Sequence, residues 1–122
     1  MPAKTILLRC VDPRFEGEWA LPIQEVVGAH YSFTEFGGVD PLGESGLQIL
    51  FQKIETLLEL DPTIERLIIS YHWDCAWCKA QQIGEEVQLR RARRLQMKIL
   101  QRFHALLSHV AHVGEGGTTT LL

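Results

Sequence analysis

Cysteine and histidine residues stand at two distant points of the chain, each directly after an apolar run. Cys10 follows "TILLR", and His72 and Cys75 follow "RLIISY" within the stretch "HWDC". Two thiolates and one imidazole form the ligand set of a catalytic zinc site that keeps one position open. Sulfur and nitrogen ligands favour zinc over magnesium or calcium, which prefer oxygen. If the two runs lie side by side, the sequence predicts a zinc site formed by Cys10, His72 and Cys75.

A carboxylate and a guanidinium group follow the first of these ligands. Asp12 and Arg14 lie two and four residues after Cys10, so in an extended backbone the three side chains point to one side. An always-charged arginine keeps a neighbouring aspartate ionised and oriented. Zinc lowers the pKa of bound water to about 7, and an ionised aspartate can position that water for attack. Asp12 and Arg14 are therefore candidate catalytic residues, with a structural ion pair at the strand end as the alternative.

A third cysteine, Cys78, forms a C-x-x-C pair with Cys75 and has three interpretations. The pair is typical of thioredoxin-like redox sites between a strand and a helix. Alternatively, Cys78 is a fourth zinc ligand that closes the site, or a buried residue at the start of a helix. We favour the buried residue. A redox pair leaves the other candidate ligands without a role, and thioredoxin-type sites carry Trp before the first cysteine, where this chain has Asp74.

Strand and helix patterns that alternate along the chain must position these residues. Strand patterns cover residues 4–12, 30–38 and 66–72, with a short last strand at "AHVG". Helical spacing predicts a short helix around "IQEVV" and longer helices from Gly43 to the stop at 61–62 and over 82–109. This alternation predicts an α/β layer with a mainly parallel sheet flanked by helices. Ligands bind beyond the carboxyl ends of such strands, which is where Cys10 and His72 stand.

The two motifs together resemble those of the β-class carbonic anhydrases. "CVDPR" is similar to the Cys-x-Asp-x-Arg motif of that family and "HWDC" to its His-x-x-Cys motif, in the same order. The resemblance spans roughly residues 4–78 and implies zinc ligands at Cys10, His72 and Cys75 and a catalytic dyad of Asp12 and Arg14. It also implies homodimers or larger homo-oligomers with active sites near the subunit interface, and reversible hydration of carbon dioxide. Related enzymes with both motifs hydrolyse carbon disulfide or carbonyl sulfide.

The sequence departs from the family pattern around the predicted pocket. Family members are typically longer, begin with helices that embrace the partner subunit, and carry glycine after the second cysteine ligand, where this chain has Ala76. Their middle loop usually reads Arg-Asn-Ala-Gly, whereas this chain reads "TEFGGVDPLG". Within that stretch, Gly37 and Gly38 either let backbone approach the site or form an ordinary turn. The ligands and the dyad therefore carry over, and the pocket that selects the substrate does not.

The other polar and aromatic residues near the motifs have ordinary structural interpretations. Asp74 either caps the following helix or hydrogen-bonds a zinc ligand. Packing is the favoured role of Trp73 and Trp77, ahead of lining an apolar pocket. The basic run at 90–94 is typical of a solvated helix face. Surface or packing roles are also expected for three histidines near the end of the chain, His104, His109 and His112.

Length, charge and hydropathy narrow the function classes. The 122 residues suit a single zinc domain over 1–114, with 115–122 as a C-terminal tail or edge strand. A net charge of −3 argues against nucleic acid or an anionic membrane as partner, and no apolar run spans a bilayer. The apolar run at the start is too short for a signal peptide, and three cysteines suit metal binding in a reducing cytoplasm.

We therefore predict a cytoplasmic zinc lyase that acts on carbon dioxide or a related small-molecule electrophile, as a homodimer or larger homo-oligomer. Zinc-bound hydroxide, oriented by Asp12, is expected to attack the carbon. Two alternatives remain open. In the first alternative the chain binds zinc without turnover. In the second it is a dithiol redox protein that uses Cys75 and Cys78.

Overall fold

A five-stranded sheet forms the centre of the computed structural model, which describes residues 4–35 and 43–122. The strands are β1 (Thr5–Cys10), β2 (His30–Glu35), β3 (Arg66–His72), β4 (Leu107–Val113) and β5 (Thr119–Leu121). Their order in the sheet is β2-β1-β3-β4-β5, and only β5 runs antiparallel to its neighbour. The predicted mainly parallel sheet is confirmed.

Within the described residues, four helices and two short 3-10 turns flank the strands. The helices are α1 (Ala20–Val27), α2 (Gly43–Leu60), α3 (Ala76–Ala80) and α4 (Glu85–Arg102), and the 3-10 turns cover Pro13–Phe15 and Glu115–Gly117. The predicted short helix and the predicted stop of the second helix at 61–62 are both confirmed. Gly37, Gly38 and the predicted end of the second strand lie outside the described residues. Within 4–35 and 43–122, no helix combines the length and apolar character needed to cross a bilayer.

Side chains of β1 and β3 alternate between two cores, one on each face of the sheet. Ile6 and Leu67 point to the face covered by α2 and α4, and Leu7 and Ile68 point to the face covered by α1. Both strands are buried along almost their whole length. Parallel strands covered on both faces read as continuous apolar runs, which is why the sequence identified them.

The predicted helix over 82–109 is wrong at its carboxyl end. α4 stops at Arg102, Phe103 leaves helical geometry at φ −124° and ψ 74°, and β4 begins at Leu107. The strand predicted at "AHVG" is therefore β4, which starts four residues earlier than predicted. Apolar residues after α4 continue the helical spacing, but they lie in a turn and in β4. Leu106 is buried at the end of that turn, whereas Leu107, the first residue of β4, is 64% exposed. Spacing alone did not reveal this change of element.

The strand order places two of the predicted ligands beside each other. β1 lies between β2 and β3, so the order reverses between β1 and β3. Cys10 is the last residue of β1 and His72 is the last residue of β3. Because the two strands are parallel neighbours, their carboxyl ends meet at one edge of the sheet, where α/β folds bind ligands.

Candidate metal centre

Cys10, His72 and Cys75 converge at this edge of the sheet. The Sγ atoms of Cys10 and Cys75 are 3.9 Å apart. One potential ligand atom from each of the three residues lies within 4.8 Å of the other two. All three side chains are buried, and the His72 side chain is fully enclosed. The structure therefore brings together the three residues that the sequence singled out as ligands.

The donor set fits a tetrahedral metal ion. Two sulfurs bound at about 2.3 Å to one tetrahedral zinc ion lie about 3.8 Å apart, close to the observed separation. Neither ring nitrogen of His72 has a hydrogen-bond partner within the described part of the chain. A buried polar group without a partner costs about 1 to 3 kcal/mol. A cation held by the two sulfurs and one ring nitrogen would satisfy that histidine.

The two thiols influence each other's ionisation. The pKa of Cys75 is lowered, first because its sulfur shares a hydrogen bond with Cys10. The pKa of Cys10 is raised to about 12, first by the same hydrogen bond and then by burial. A metal ion held between the two sulfurs would deprotonate both thiols.

Asp12 and Arg14 follow Cys10 in a 3-10 turn and form a two-pronged ion pair. Arg14 donates from Nε to Asp12 Oδ1 at 3.1 Å and from Nη2 to Oδ2 at 2.8 Å, and its backbone N–H also donates to Oδ1 at 2.9 Å. The extended backbone assumed for this stretch is wrong, because β1 ends at Cys10 and Asp12 caps the turn that carries Arg14. The hydrogen bonds that Arg14 donates to Asp12 lower the pKa of that carboxyl group.

Asp74 holds the opposite edge of the same guanidinium. Arg14 Nη1 donates to Asp74 Oδ2 at 3.1 Å, and Lys79 Nζ lies 2.5 Å from Asp74 Oδ1. Asp74 has neither of its predicted roles, the cap of α3 or a hydrogen bond to a candidate ligand. Cys75 caps α3 through its sulfur, which accepts a hydrogen bond from the backbone N–H of Cys78 at 3.4 Å. Asp74 instead hydrogen-bonds the side chains of Arg14 and Lys79.

Comparison with solved structures shows that the fold of this chain is a known one. No protein-family model and no curated protein matches the sequence. Among solved structures, a carbonic anhydrase from Streptococcus mutans aligns with a TM-score of 0.63 at 12% identity, over 98% of this chain and 81% of that one. A β-carbonic anhydrase from Sordaria macrospora, described as tetrameric, aligns with a TM-score of 0.60 at 13% identity, over 98% and 80%.

A third solved structure, a β-carbonic anhydrase from Aspergillus fumigatus, aligns at 12% identity with a TM-score of 0.60, over 99% of this chain and 90% of that one. The fold is that of a β-carbonic anhydrase. At these identities the likeness shows the fold alone. The fold expected from the motif resemblance is confirmed, whereas the roles of individual residues depend on the geometry of the site.

An aromatic wall that the sequence reasoning missed surrounds the histidine of this β-carbonic-anhydrase fold. The His72 ring meets Phe15 and Trp19 edge-on, each at a centroid distance of 5.4 Å. Trp19 is 2% exposed, and the Arg14 guanidinium carbon lies 4.1 Å from its ring centroid. The signal was present in "RFEGEW", where Phe15 and Trp19 stand one and five residues after Arg14. Trp19 therefore contacts both candidate motifs.

Cys78 lies inside α3, buried in the core on the α1 side of the sheet. This burial agrees with the role favoured from the sequence. Among the described residues, Cys78 is outside the candidate metal-binding group, and none of the three cysteines forms a disulfide. The packing predicted for Trp73 and Trp77 is also confirmed, since both are partly buried against the same core.

Among the described residues, the remaining histidines and the basic run are outside the group of candidate metal ligands. His104 is exposed, and much of the run at 90–94 forms a solvated face of α4, where Arg93 donates to Gln96 at 3.1 Å. His112 has a carboxylate neighbour that its local sequence did not show. Its Nε2 lies 2.7 Å from Glu85 Oε1, so the pair connects β4 to the first turn of α4.

Gly117 allows the carboxyl-terminal segment to pack on Trp19, which gives a stability prediction. A Cβ added to Gly117 would lie 2.9 Å from the Trp19 Cβ, and its φ is +83°. Gly117→Ala should therefore destabilise the protein by about 1 to 2 kcal/mol for the left-handed backbone, plus about 1 to 3 kcal/mol for overpacking. Gly116→Ala is the matched control, because its φ is +69° and nothing lies within 4 Å. Equal losses in urea unfolding would contradict the contact with Trp19.

Proposed function

We propose that this chain binds zinc through Cys10, His72 and Cys75 and hydrates carbon dioxide reversibly to bicarbonate, or acts on a related small linear electrophile. The observation that carries the proposal is the convergence of two buried thiols and an unpartnered buried imidazole. The ion-paired Asp12 follows one of these ligands in the next turn. The β-carbonic-anhydrase fold supports the same reaction class.

The chain's own side chains account for the metal preference. Two sulfurs and one nitrogen suit zinc better than the oxygen-seeking cations, and three protein ligands leave one position for water. A zinc ion held there would supply a Lewis acid that lowers the pKa of water to about 7. Phe15 and Trp19 enclose the His72 ring edge-on and restrict its rotation.

Asp12 acts in this proposal as an acceptor that orients the attacking water. Because Arg14 lowers its pKa, Asp12 stays ionised at neutral pH and can accept but not donate a hydrogen bond. A carboxylate with a low pKa is a weak base, so its role is to position the nucleophile rather than to store a proton. Arg14 contacts both Asp12 oxygens and thereby fixes the direction of their remaining lone pairs.

We also propose that the chain forms a homodimer or a larger homo-oligomer in a reducing compartment such as the cytoplasm. The Sordaria macrospora protein of the same fold is described as tetrameric. Near the β2 edge of the sheet, α2 exposes Ile49 at 53% and Leu60 at 77%. The molar mass measured by light scattering after size-exclusion chromatography tests the assembly, and a monomer at micromolar concentration would contradict it.

The function is tested by zinc content and hydration rate measured on the same purified protein. We expect one zinc per chain and stopped-flow hydration of carbon dioxide above the buffer rate, or hydrolysis of carbon disulfide or carbonyl sulfide. One zinc per chain without turnover of any of the three would replace the proposal by a zinc-binding protein without activity. Absence of zinc, with reversible oxidation of Cys75 and Cys78, would replace it by a dithiol redox protein.

A further inference from the structure

We propose that Asp74 is a positioning residue that holds Arg14, and through it Asp12, in place beside the candidate metal ligands. This inference rests on the proposed function, because it assigns a role within the same site. Asp74 stands between two motif residues in "HWDC", and neither a metal role nor a helix cap accounts for it.

The guanidinium of Arg14 is held on two edges and one face. On one edge, its Nε and Nη2 atoms donate to the Asp12 carboxylate. On the other edge, Nη1 donates to Asp74 Oδ2 and Nη2 donates to the Asp74 backbone oxygen, both at 3.1 Å. The Trp19 ring lies against its face at 4.1 Å. Planar guanidinium groups suit such multidentate contacts, which fix direction as well as distance.

This contact joins two segments that are 60 residues apart in the sequence. Arg14 lies in the turn after β1, and Asp74 lies in the loop after β3, directly before Cys75. The position of the Asp12 carboxylate relative to the ligand loop therefore depends on the hydrogen bonds between Arg14 and Asp74. Without the Asp74 carboxylate, the described contacts left on that side of the guanidinium would be the Asp74 backbone oxygen and the rings of Trp19 and Trp73.

Charge alternates along this chain of contacts. Asp12, Arg14, Asp74 and Lys79 carry negative, positive, negative and positive charges in turn. The Lys79 side chain is 67% exposed, so water screens its contribution to the pair with Asp74. The Arg14 side chain is only 29% exposed, which makes its contact with Asp74 the stronger of the two restraints.

The first test compares the kinetics of Asp74 variants. Asp74→Ala should lower kcat roughly tenfold, the effect of losing one hydrogen bond to a charged group, with little change in KM or zinc content. Asp74→Glu should recover part of the rate, because it restores a carboxylate to Arg14. Asp61→Ala is the matched control, since that aspartate hydrogen-bonds Tyr31 and Thr63 at the other end of the molecule. Wild-type kcat in Asp74→Ala would overturn the proposal.

A double-mutant cycle tests whether Asp74 acts through Arg14. If it does, adding Asp74→Ala to Arg14→Ala should cause no further loss of kcat. Losses that multiply would show that Asp74 acts independently, and would also overturn the proposal.

A readout without turnover separates this inference from the proposed function. The Arg14 Nη1–H protons, which donate to Asp74, should exchange slowly with solvent in wild type and several-fold faster in Asp74→Ala, measured by NMR on the folded protein. If wild type neither hydrates carbon dioxide nor acts on its sulfur analogues, the proposed function fails while this exchange measurement still decides the Asp74 contact. Equal exchange rates in the two proteins would show that Asp74 does not restrain Arg14.

Discussion

Replacing Cys75 by serine is expected to abolish zinc binding, whereas replacing Cys78 by serine is expected to leave one zinc per chain. The Cys75 sulfur lies 3.9 Å from the Cys10 sulfur and belongs to the group that includes His72, and Cys78 does not. Serine is a poor substitute as a ligand, because its hydroxyl stays protonated where a thiol ionises on metal binding. The two substitutions therefore separate the members of the C-x-x-C pair.

The pair is well matched for this comparison. Both cysteines are 2% exposed, so each serine variant buries one hydroxyl in a similar environment. Zinc per chain, measured after dialysis against a weak chelator, reads the binding directly. We expect Cys75→Ser to weaken zinc binding by more than the roughly 100-fold effect of outer-shell substitutions.

Stability supplies a second measurement of the same prediction. A metal ion that binds only the folded state raises the unfolding temperature. A strong chelator should therefore lower the unfolding temperature of wild type and Cys78→Ser but not that of Cys75→Ser. Equal zinc retention by both variants would contradict the ligand assignment, and loss of zinc in both would favour a site that includes Cys78.

The convergence of the candidate ligands was predictable because it depends on local features. Continuous apolar runs identify β1 and β3 as buried parallel strands, and Cys10 and His72 stand at the ends of those runs. The fold then needs only to place the two strands side by side. The spacing of residues within each motif is also a local feature, so a single sequence shows it.

Contacts between distant segments were not predictable in the same way. The hydrogen bonds from Arg14 to Asp74 join residues 60 positions apart, and no pattern near either residue indicates the other. The local sequence instead suggested that Asp74 caps α3, a role that the Cys75 sulfur fills. Trp19 is a similar case, because its ring contact with His72 joins the start of α1 to the end of β3.

Asp12→Asn is expected to lower the hydration rate by about 100-fold or more while leaving zinc content unchanged. The variant has no negative charge with which to orient water, and misplacement of a reacting group by about 1 Å can lower a rate about 10²-fold. It also places an amide in a setting built for a carboxylate. Arg14 donates to both Asp12 oxygens, so the amide nitrogen must face one of these donors.

Stopped-flow hydration and zinc analysis on the same preparation check this prediction. Asp61→Asn is the matched control, because Asp61 is also an acceptor of side-chain hydrogen bonds but lies at the turn between α2 and β3. Asp12 is not one of the three candidate ligands, so loss of zinc in Asp12→Asn would place it in the metal site instead. A loss of rate under threefold with zinc retained would reduce Asp12 and Arg14 to a structural ion pair at the end of β1.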